Sequence, residues 1–335
     1  MMRTLLRWTA AAGIIAVATL LLLELMVRTV MPQQEPQLWL QPDARYGHVM
    51  KANFHQRVRF PGTDFVMEVR TNALGFRDAE PAPREEGVPA IVFAGDSFTF
   101  GHGVHVEDRF DTVATGLLRA HGQRVRGINI GVSAWGTVQQ TRYLADHLSE
   151  LQPDVIVLTF CENDPRDDVY FLSTGVSFDR VRFPGKDLLR AHSHLFRLLQ
   201  HLYLVARKTL LAPAGAAAAP EPATPSPPAT PQPPAELPEW PHTEEALRAF
   251  MDLWRQQKPG ARLIVQSTLP WDEAMSSRLR EIASRIPGVE YLDLAPEAAR
   301  IPEGERRLPY DGHWSAAMHR VSGEAIARAL QPSTE

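Results

Sequence analysis

The chain has 335 residues, 44% of them hydrophobic, and a formal net charge of −4. That is enough for one large or two modest domains with a sizeable core, and without a basic stripe no nucleic-acid partner is expected. A single cysteine, Cys161, excludes an intrachain disulfide and fits either cytosol or an exported domain too large to need one.

At the N-terminus, Arg3 and Arg7 precede an apolar run from Trp8 to Leu23, which Leu25, Met26 and Val27 extend past Glu24. The run is close to the roughly 20 residues a membrane helix needs. No small-x-small cleavage site follows, so an uncleaved anchor over residues 1–31 is expected, with a signal peptide as the rival reading. Arginines before the span place the N-terminus in the cytoplasm and the rest outside, in the periplasm if the organism has one.

Residues 32–88 read as an extension before the main domain. Phe54–Phe60 and Phe65–Arg70 alternate and predict a hairpin across Pro61-Gly62. Asn72–Asp78 predicts a turn that docks Leu74 and Phe76. From Pro89 strand and helix patterns alternate. Strands are expected over Ile91–Ala94, Val125–Ile130, Val155–Phe160, Leu263–Gln266 and Val289–Leu292. Helices are expected over Phe110–His121, Val138–Leu148, Thr243–Gln257, Asp272–Ile286 and Ser315–Leu330. This alternation predicts an α/β domain over 89–332, with a parallel sheet covered on both faces.

An insertion over 186–241 interrupts that domain. Its first part, Lys186–Leu211, repeats leucines at helical spacing and predicts a helix or helix pair. Its second part, Ala212–Pro241, has eleven prolines and cannot bury enough surface to fold. The strand–helix pattern resumes after it, so it lies between halves of one sheet.

Four stretches can converge on one sheet edge: Gly95-Asp96-Ser97, Asn129-Ile130-Gly131, Cys161-Glu162-Asn163-Asp164 and Tyr310–Ser315. Ester hydrolysis through a serine needs a base, a carboxylate that orients it and donors for the oxyanion. Ser97, His313 and Asp311 fit the first roles. The N–H groups of Ser97 and Gly131 and the side-chain amide of Asn163 are the candidate oxyanion donors. No metal ligand set and no cofactor is expected.

These stretches, in this order, resemble the SGNH (GDSL-type) hydrolase superfamily. Gly95-Asp96-Ser97-Phe98 matches its first block, Gly131 its second, Asn163-Asp164 its third, and Asp311 with His313 its last. The resemblance implies a flavodoxin-like three-layer α/β/α sandwich with a parallel five-stranded sheet, here behind an N-terminal transmembrane helix. Asn72–Phe76 looks like a segment that precedes the first block in membrane-anchored members. Two positions depart from the pattern. Cys161 stands where glycine usually opens the third block, and Asp311 precedes His313 by two residues instead of three. The Asp-x-His-Trp arrangement is similar to that of the alginate O-acetyltransferase branch.

The expected activity is hydrolysis of an O-acyl, foremost O-acetyl, ester on a carbohydrate. Acyl transfer to a polysaccharide hydroxyl, with polysaccharide assembly partners, is the alternative. A non-catalytic envelope binding or scaffold module is a further one. Asp96 and Asp164 are expected to hold backbone turns and Cys161 to be buried and inert. His102 and His105 are expected at a pocket rim or in solvent. His192 is expected toward an apolar face, with His194 and His201 on a helix surface. Phe98 and Phe100 are expected to pack beneath Ser97, and Glu162 and Trp135 to serve in loop packing.

Overall fold

The structure, a computed structural model, describes all residues except 1, 34, 61–62, 81, 176–182, 212–239 and 332–335, and the side chains of 3–6 and 207–211. The proline-rich segment expected from Ala212 falls almost wholly outside the described residues. From the N-terminus, α1 (Met2–Val30) is followed by two short strand pairs. These are β1 (Leu40–Asp43) with β2 (Gly47–Met50), and β3 (His55–Arg59) with β4 (Val66–Arg70). Next come β5 (Ala90–Gly95), α2 (Ser97–Phe100), α3 (Phe110–Ala120), β6 (Arg126–Asn129), α4 (Thr137–Asp146), α5 (Leu148–Leu151), β7 (Val155–Phe160) and α6 (Asp164–Thr174). Helices α7 (Lys186–His192) and α8 (His194–Leu211) follow. The chain closes with α9 (Pro241–Gln257), β8 (Arg262–Ser267), α10 (Glu273–Arg285), β9 (Val289–Tyr291), α11 (Ala295–Ala298) and α12 (Ala316–Leu330).

Two compact units result. One comprises Met1–Leu38, Arg59–Asp64 and Val181–Ala235; the other comprises Trp39–Val58, Phe65–Arg180 and Glu236–Glu335. In the first, α1 holds an apolar stretch, Arg7–Val30, of 24 residues with mean hydropathy 2.4. At 1.5 Å per residue it is about 36 Å long, enough to cross a hydrocarbon core of about 30 Å. Length and composition suit a membrane anchor and a signal sequence alike. Near its end Glu24 accepts hydrogen bonds from Ser193 Oγ (2.8 Å), His194 N (2.9 Å) and Leu195 N (2.9 Å). The acid thereby satisfies amides that open α8, which have no intrahelical partner.

In the second unit, five strands pair in parallel in the order β6-β5-β7-β8-β9. Residues 90–95 are buried on both sides of the pleat, as a central parallel strand must be. Ile91, Phe93, Val157 and Ile264 point to one face and pack with Phe110, Ala114 and Leu118 of α3 and Met318 and Ile326 of α12. By alternation Val92, Ile156 and Leu263 point to the other face. There α4 packs against α9, which also meets α6. The strand order is flavodoxin-like, and its crevice opens at the carboxyl ends of β5 and β7, where the order reverses.

Three features differ from expectation. The β1–β2 pair has no alternating pattern in the sequence; Trp39 before it is fully buried and stacks on Phe100 with ring centroids 5.6 Å apart. Helix α6 begins in the charged run Asp164-Pro165-Arg166-Asp167-Asp168, where no apolar stripe announces it. Of the two residues expected to dock from the Asn72 turn, Phe76 is buried but Leu74 is 46% exposed. Asn72 Oδ1 accepts from both Leu74 N and Phe76 N at 3.0 Å, so the asparagine, not Leu74, holds the turn.

The side chain of Asp168 joins three helices. Its carboxylate accepts from Val138 N of α4 (2.8 Å) and from Thr243 Oγ1 of α9 (2.7 Å). Burial pushes its carboxyl up to about 7 against the lowering effect of those two donors. Between about pH 4 and 7 the unfolded chain releases this proton while the native state keeps it, so stability falls as pH rises through that window. Asp168→Asn removes the titration. The variant is expected to lose less stability across that window than the parent, by at most about 1.4 kcal/mol per pH unit. Urea midpoints measured at several pH values check this; parallel curves for the two proteins would refute it.

Candidate active site

Strand β5 ends at Gly95, and the chain turns at once into α2. Asp96 is the N-cap: its Oδ1 accepts from Phe98 N at 2.9 Å. Ser97 therefore opens the helix, partly exposed at the carboxyl edge of the sheet, while Phe98, Thr99 and Phe100 are buried beneath it. The helix stops after one turn at Gly101, which has φ 78°. The left-handed conformation favours glycine there, and a Cβ would lie 2.5 Å from Arg109 Cδ.

The backbone after this turn is held by a buried cation. Arg77 donates to Phe100 O (3.1 Å), Gly101 O (2.7 Å), Val104 O (3.0 Å) and Glu68 O (2.9 Å). Buried charge is tolerated only when its donors are largely filled, and four carbonyls take four of the five N–H groups here. Beside it Arg109 pairs with Asp111 at 2.9 Å and donates to Arg77 O.

His313 arrives from the segment before α12. Its Nε2 lies 2.8 Å from Ser97 Oγ, although 216 positions separate the two residues. Trp314, fully buried, fixes the segment by donating Nε1–H to Thr268 O at 2.9 Å and by packing on Phe98. Asp311 Oδ1 lies 3.2 Å from His313 Nδ1 but off the line of a straight hydrogen bond; it also accepts from His313 N at 3.1 Å.

The second oxygen of Asp311 meets His102. Its Nε2 is 3.0 Å from Asp311 Oδ2, and its ring lies 4.5 Å from that of His313. His102 is 4% exposed, so the expected rim or solvent position is corrected; only His105 is exposed. Burial lowers the basicity of His102, against the raising effect of Asp311. Burial would raise the Asp311 carboxyl, but hydrogen bonds from His102 and His313 outweigh it and hold the group well below the usual range. Among the described residues His102, Asp311 and His313 are also the metal-capable set, with ligand atoms within 4.8 Å of one another. Their bonds to each other and to Ser97 account for that closeness.

The expected oxyanion donors fare differently. Gly131 is buried after β6, where a Cβ would lie 2.4 Å from Phe100 N, so its smallness lets α2 pack close. Its N–H donates to Asn129 Oδ1 at 2.9 Å and is already engaged. In the same loop Ala134 is exposed and has φ 65°, an uncommon conformation for a residue with a Cβ. Sequence reasoning passed over it because nothing but the backbone marks it. Asn163 sits at the N-cap of α6, and Nδ2 donates one hydrogen to Asp167 Oδ2 at 2.6 Å, leaving its second for another acceptor.

The neighbouring acids hold structure. Asp164 accepts from Thr137 Oγ1 at 2.8 Å, and burial raises its carboxyl well above the usual range. Burial pushes Asp96 up to about 6, against lowering by Phe98 N–H, the nearby His313 and the Cys161 thiol. Cys161 is 3% exposed; burial, with Asp96 and Glu162 nearby, raises its thiol far out of the reactive range. Trp135 is 1% exposed and donates to His48 O at 2.8 Å; Glu162 accepts from Thr268 Oγ1 at 2.8 Å. Of the helix histidines, His194 Nδ1 accepts from Gln33 N at 2.8 Å, and His192 is exposed, not turned inward. A further aromatic was missed: Trp271, on the loop after β8, is 36% exposed, with the guanidinium carbons of Arg306 and Arg307 5.6 and 5.2 Å from its ring centre.

Residues 93–321 match the GDSL-like Lipase/Acylhydrolase family. No curated protein is similar enough in sequence to match the chain. Among solved structures, a family 3 carbohydrate esterase of Clostridium thermocellum is 16% identical, covering 73% of this chain and 100% of its own, with a TM-score of 0.42. The lipase/acylhydrolase of Enterococcus faecalis is 16% identical over 74% of this chain and 100% of its own, with a TM-score of 0.40. A psychrotrophic esterase of Pseudoalteromonas is 10% identical over 72% and 96%, with a TM-score of 0.42. The family match spans more than half of the chain, from the strand that delivers Ser97 to the helix behind His313, and the chain therefore belongs to the GDSL-like lipase/acylhydrolase family as an ester-hydrolysing enzyme of SGNH fold.

Proposed function

We propose that Ser97 is the nucleophile, His313 the general base and Asp311 the orienting carboxylate in hydrolysis of an O-acyl ester. The 2.8 Å contact between Ser97 Oγ and His313 Nε2 carries this reading. Ser97 Oγ attacks the ester carbonyl as Nε2 takes its proton. The carbonyl oxygen becomes an oxyanion, met by the N–H of Ser97 and the second amide hydrogen of Asn163. Collapse breaks the bond to the alcohol, which leaves with the proton from Nε2. Water then attacks the acyl-serine, His313 again takes and returns a proton, and the acid departs. His102 acts through Asp311: its Nε2–H holds Oδ2, so that Oδ1 stays beside His313.

The ester sits on a carbohydrate in this reading. The exposed indole of Trp271 offers an apolar plate for the C–H face of a sugar ring, with guanidiniums to reach its hydroxyls. Transfer of the acyl group to a sugar hydroxyl uses the same acyl-serine, and the Asp311-Gly312-His313-Trp314 spacing keeps it as the second reading. We further read α1 as an uncleaved anchor, its N-terminus cytoplasmic and the hydrolase unit outside.

Ser97→Ala is expected to lower release of p-nitrophenol from p-nitrophenyl acetate at least about 10³-fold while the far-ultraviolet spectrum is unchanged. Activity at the parental level would remove Ser97 from the nucleophile role. His102→Ala is expected to lower kcat about tenfold or more with KM little changed, and His102→Gln, which still offers an N–H, to recover part of it. Equal loss in both variants, or a change in KM alone, would speak against positioning through Asp311. Trp271→Ala is expected to raise KM several-fold for acetylated oligosaccharides and to leave p-nitrophenyl acetate turnover unaltered. An equal effect on both substrates would take Trp271 out of sugar binding.

A further inference from the structure

Helices α7 and α8 carry apolar side chains that stand in solvent. On α7, Leu188 is 65% and Leu189 42% exposed. On α8, Leu199 is 55%, Leu202 53% and Tyr203 48% exposed. Positions 199, 202 and 203 share one face of the helix, at i, i+3 and i+4. His201, two residues beyond Leu199, falls about 200° away and is also exposed. Between residues 183 and 211 the sequence has five Lys or Arg against one acid, Asp187. An exposed apolar stripe on a basic helix is the pattern of a segment lying in a membrane interface.

The depth at which α8 begins is fixed by α1. Glu24 binds the first amides of α8, and Arg28 donates to His192 O at 2.6 Å. Glu24 lies six residues, about 9 Å, before the end of α1. The first turn of α8 is thus tied beside the last turns of the apolar stretch, where a spanning helix meets the headgroups. A stripe starting there faces the acyl–headgroup boundary as soon as the helix lies flat.

We propose that the α7–α8 pair docks on the surface of an anionic phospholipid bilayer, with Leu199, Leu202 and Tyr203 in the acyl–headgroup boundary. The proposal rests on the reading of α1 as an anchor. The cations on the same segment favour phosphate headgroups over a second copy of this equally basic segment.

The test uses the full chain in vesicles of phosphatidylethanolamine with a minority of phosphatidylglycerol. A nitroxide is placed singly by Leu199→Cys, Leu202→Cys, His201→Cys or Leu21→Cys, Cys161 being buried. Collisions with oxygen and with a water-soluble nickel chelate are then compared. The oxygen-to-nickel ratio is expected to be several-fold higher at 199 and 202 than at 201, and high at 21. If 199 and 202 match 201 while 21 keeps its lipid signature, docking is wrong and the anchor stands. If all four are water-like, the anchor reading fails and takes docking with it. Dipolar broadening between copies at 199 would assign the face to a second copy. Shielding from both colliders would assign it to another part of this chain. Either result overturns the proposal.

Discussion

The site depends on one carboxylate shared by two imidazoles. Asp311 has His313 at one oxygen and His102 at the other, at 3.2 and 3.0 Å. His313 lies two residues on from Asp311 in the same turn, but His102 shares no helix face or turn with it. His102 belongs to the loop after the first turn of α2, and Asp311 to the approach to α12. They meet because β5 and the α12 approach open at the same end of the sheet. The loop holding His102 is in turn fixed by Arg77, whose four carbonyl partners leave it little freedom. A cation from a turn well before β5 therefore helps set where a histidine stands, and that histidine holds the acid beside His313.

Charge in this region is distributed by burial. Asp96, Asp164 and Asp168 lie close to the carboxyl edge, and burial raises each of them. Asp311 alone among these four is lowered, because the His102 and His313 imidazoles beside it favour its ionised form against the effect of burial. Of the four, Asp311 is the one whose ionised form its surroundings favour. In the proposed mechanism, an imidazolium formed on His313 would have a compensating charge already in place beside it, so little would have to reorganise as the proton moves.

The sheet was legible because a parallel strand buried on both faces must be a continuous apolar run, and 91–94, 155–160 and 263–266 are such runs. Ser97 and His313 were legible for a related reason: each stands where such a run ends or where a capped helix begins, and the structure brings them together. His102 was not, because its meaning lies in a contact with a residue more than two hundred positions away. Gly131 was read as a donor because glycine permits close approach. It does permit it, but what approaches is the backbone of α2, and the N–H turns to Asn129. Sequence showed that space was needed there, not which atom would use it. The β1–β2 pair escaped because its strands are four residues each and too short for alternation to register. The binding-module alternative gives way to the family match, since the matched stretch contains the serine, asparagine, aspartate and histidine together.

Glu24 shows the same logic in the first unit. An acid inside a long apolar helix is costly unless paired or solvated. In the sequence it looked like an interruption near the end of a span. In the structure it accepts from two backbone amides, a serine hydroxyl and Arg28. The amides are ones that any helix of α8's kind must leave without an internal partner. Two costs are thereby offset together: an acid in an apolar helix finds donors, and a helix start finds an acceptor. Replacing Glu24 by leucine would make α1 more apolar and yet leave the opening of α8 unsatisfied. The acid is therefore better understood as the joint between two helices than as a flaw in one of them.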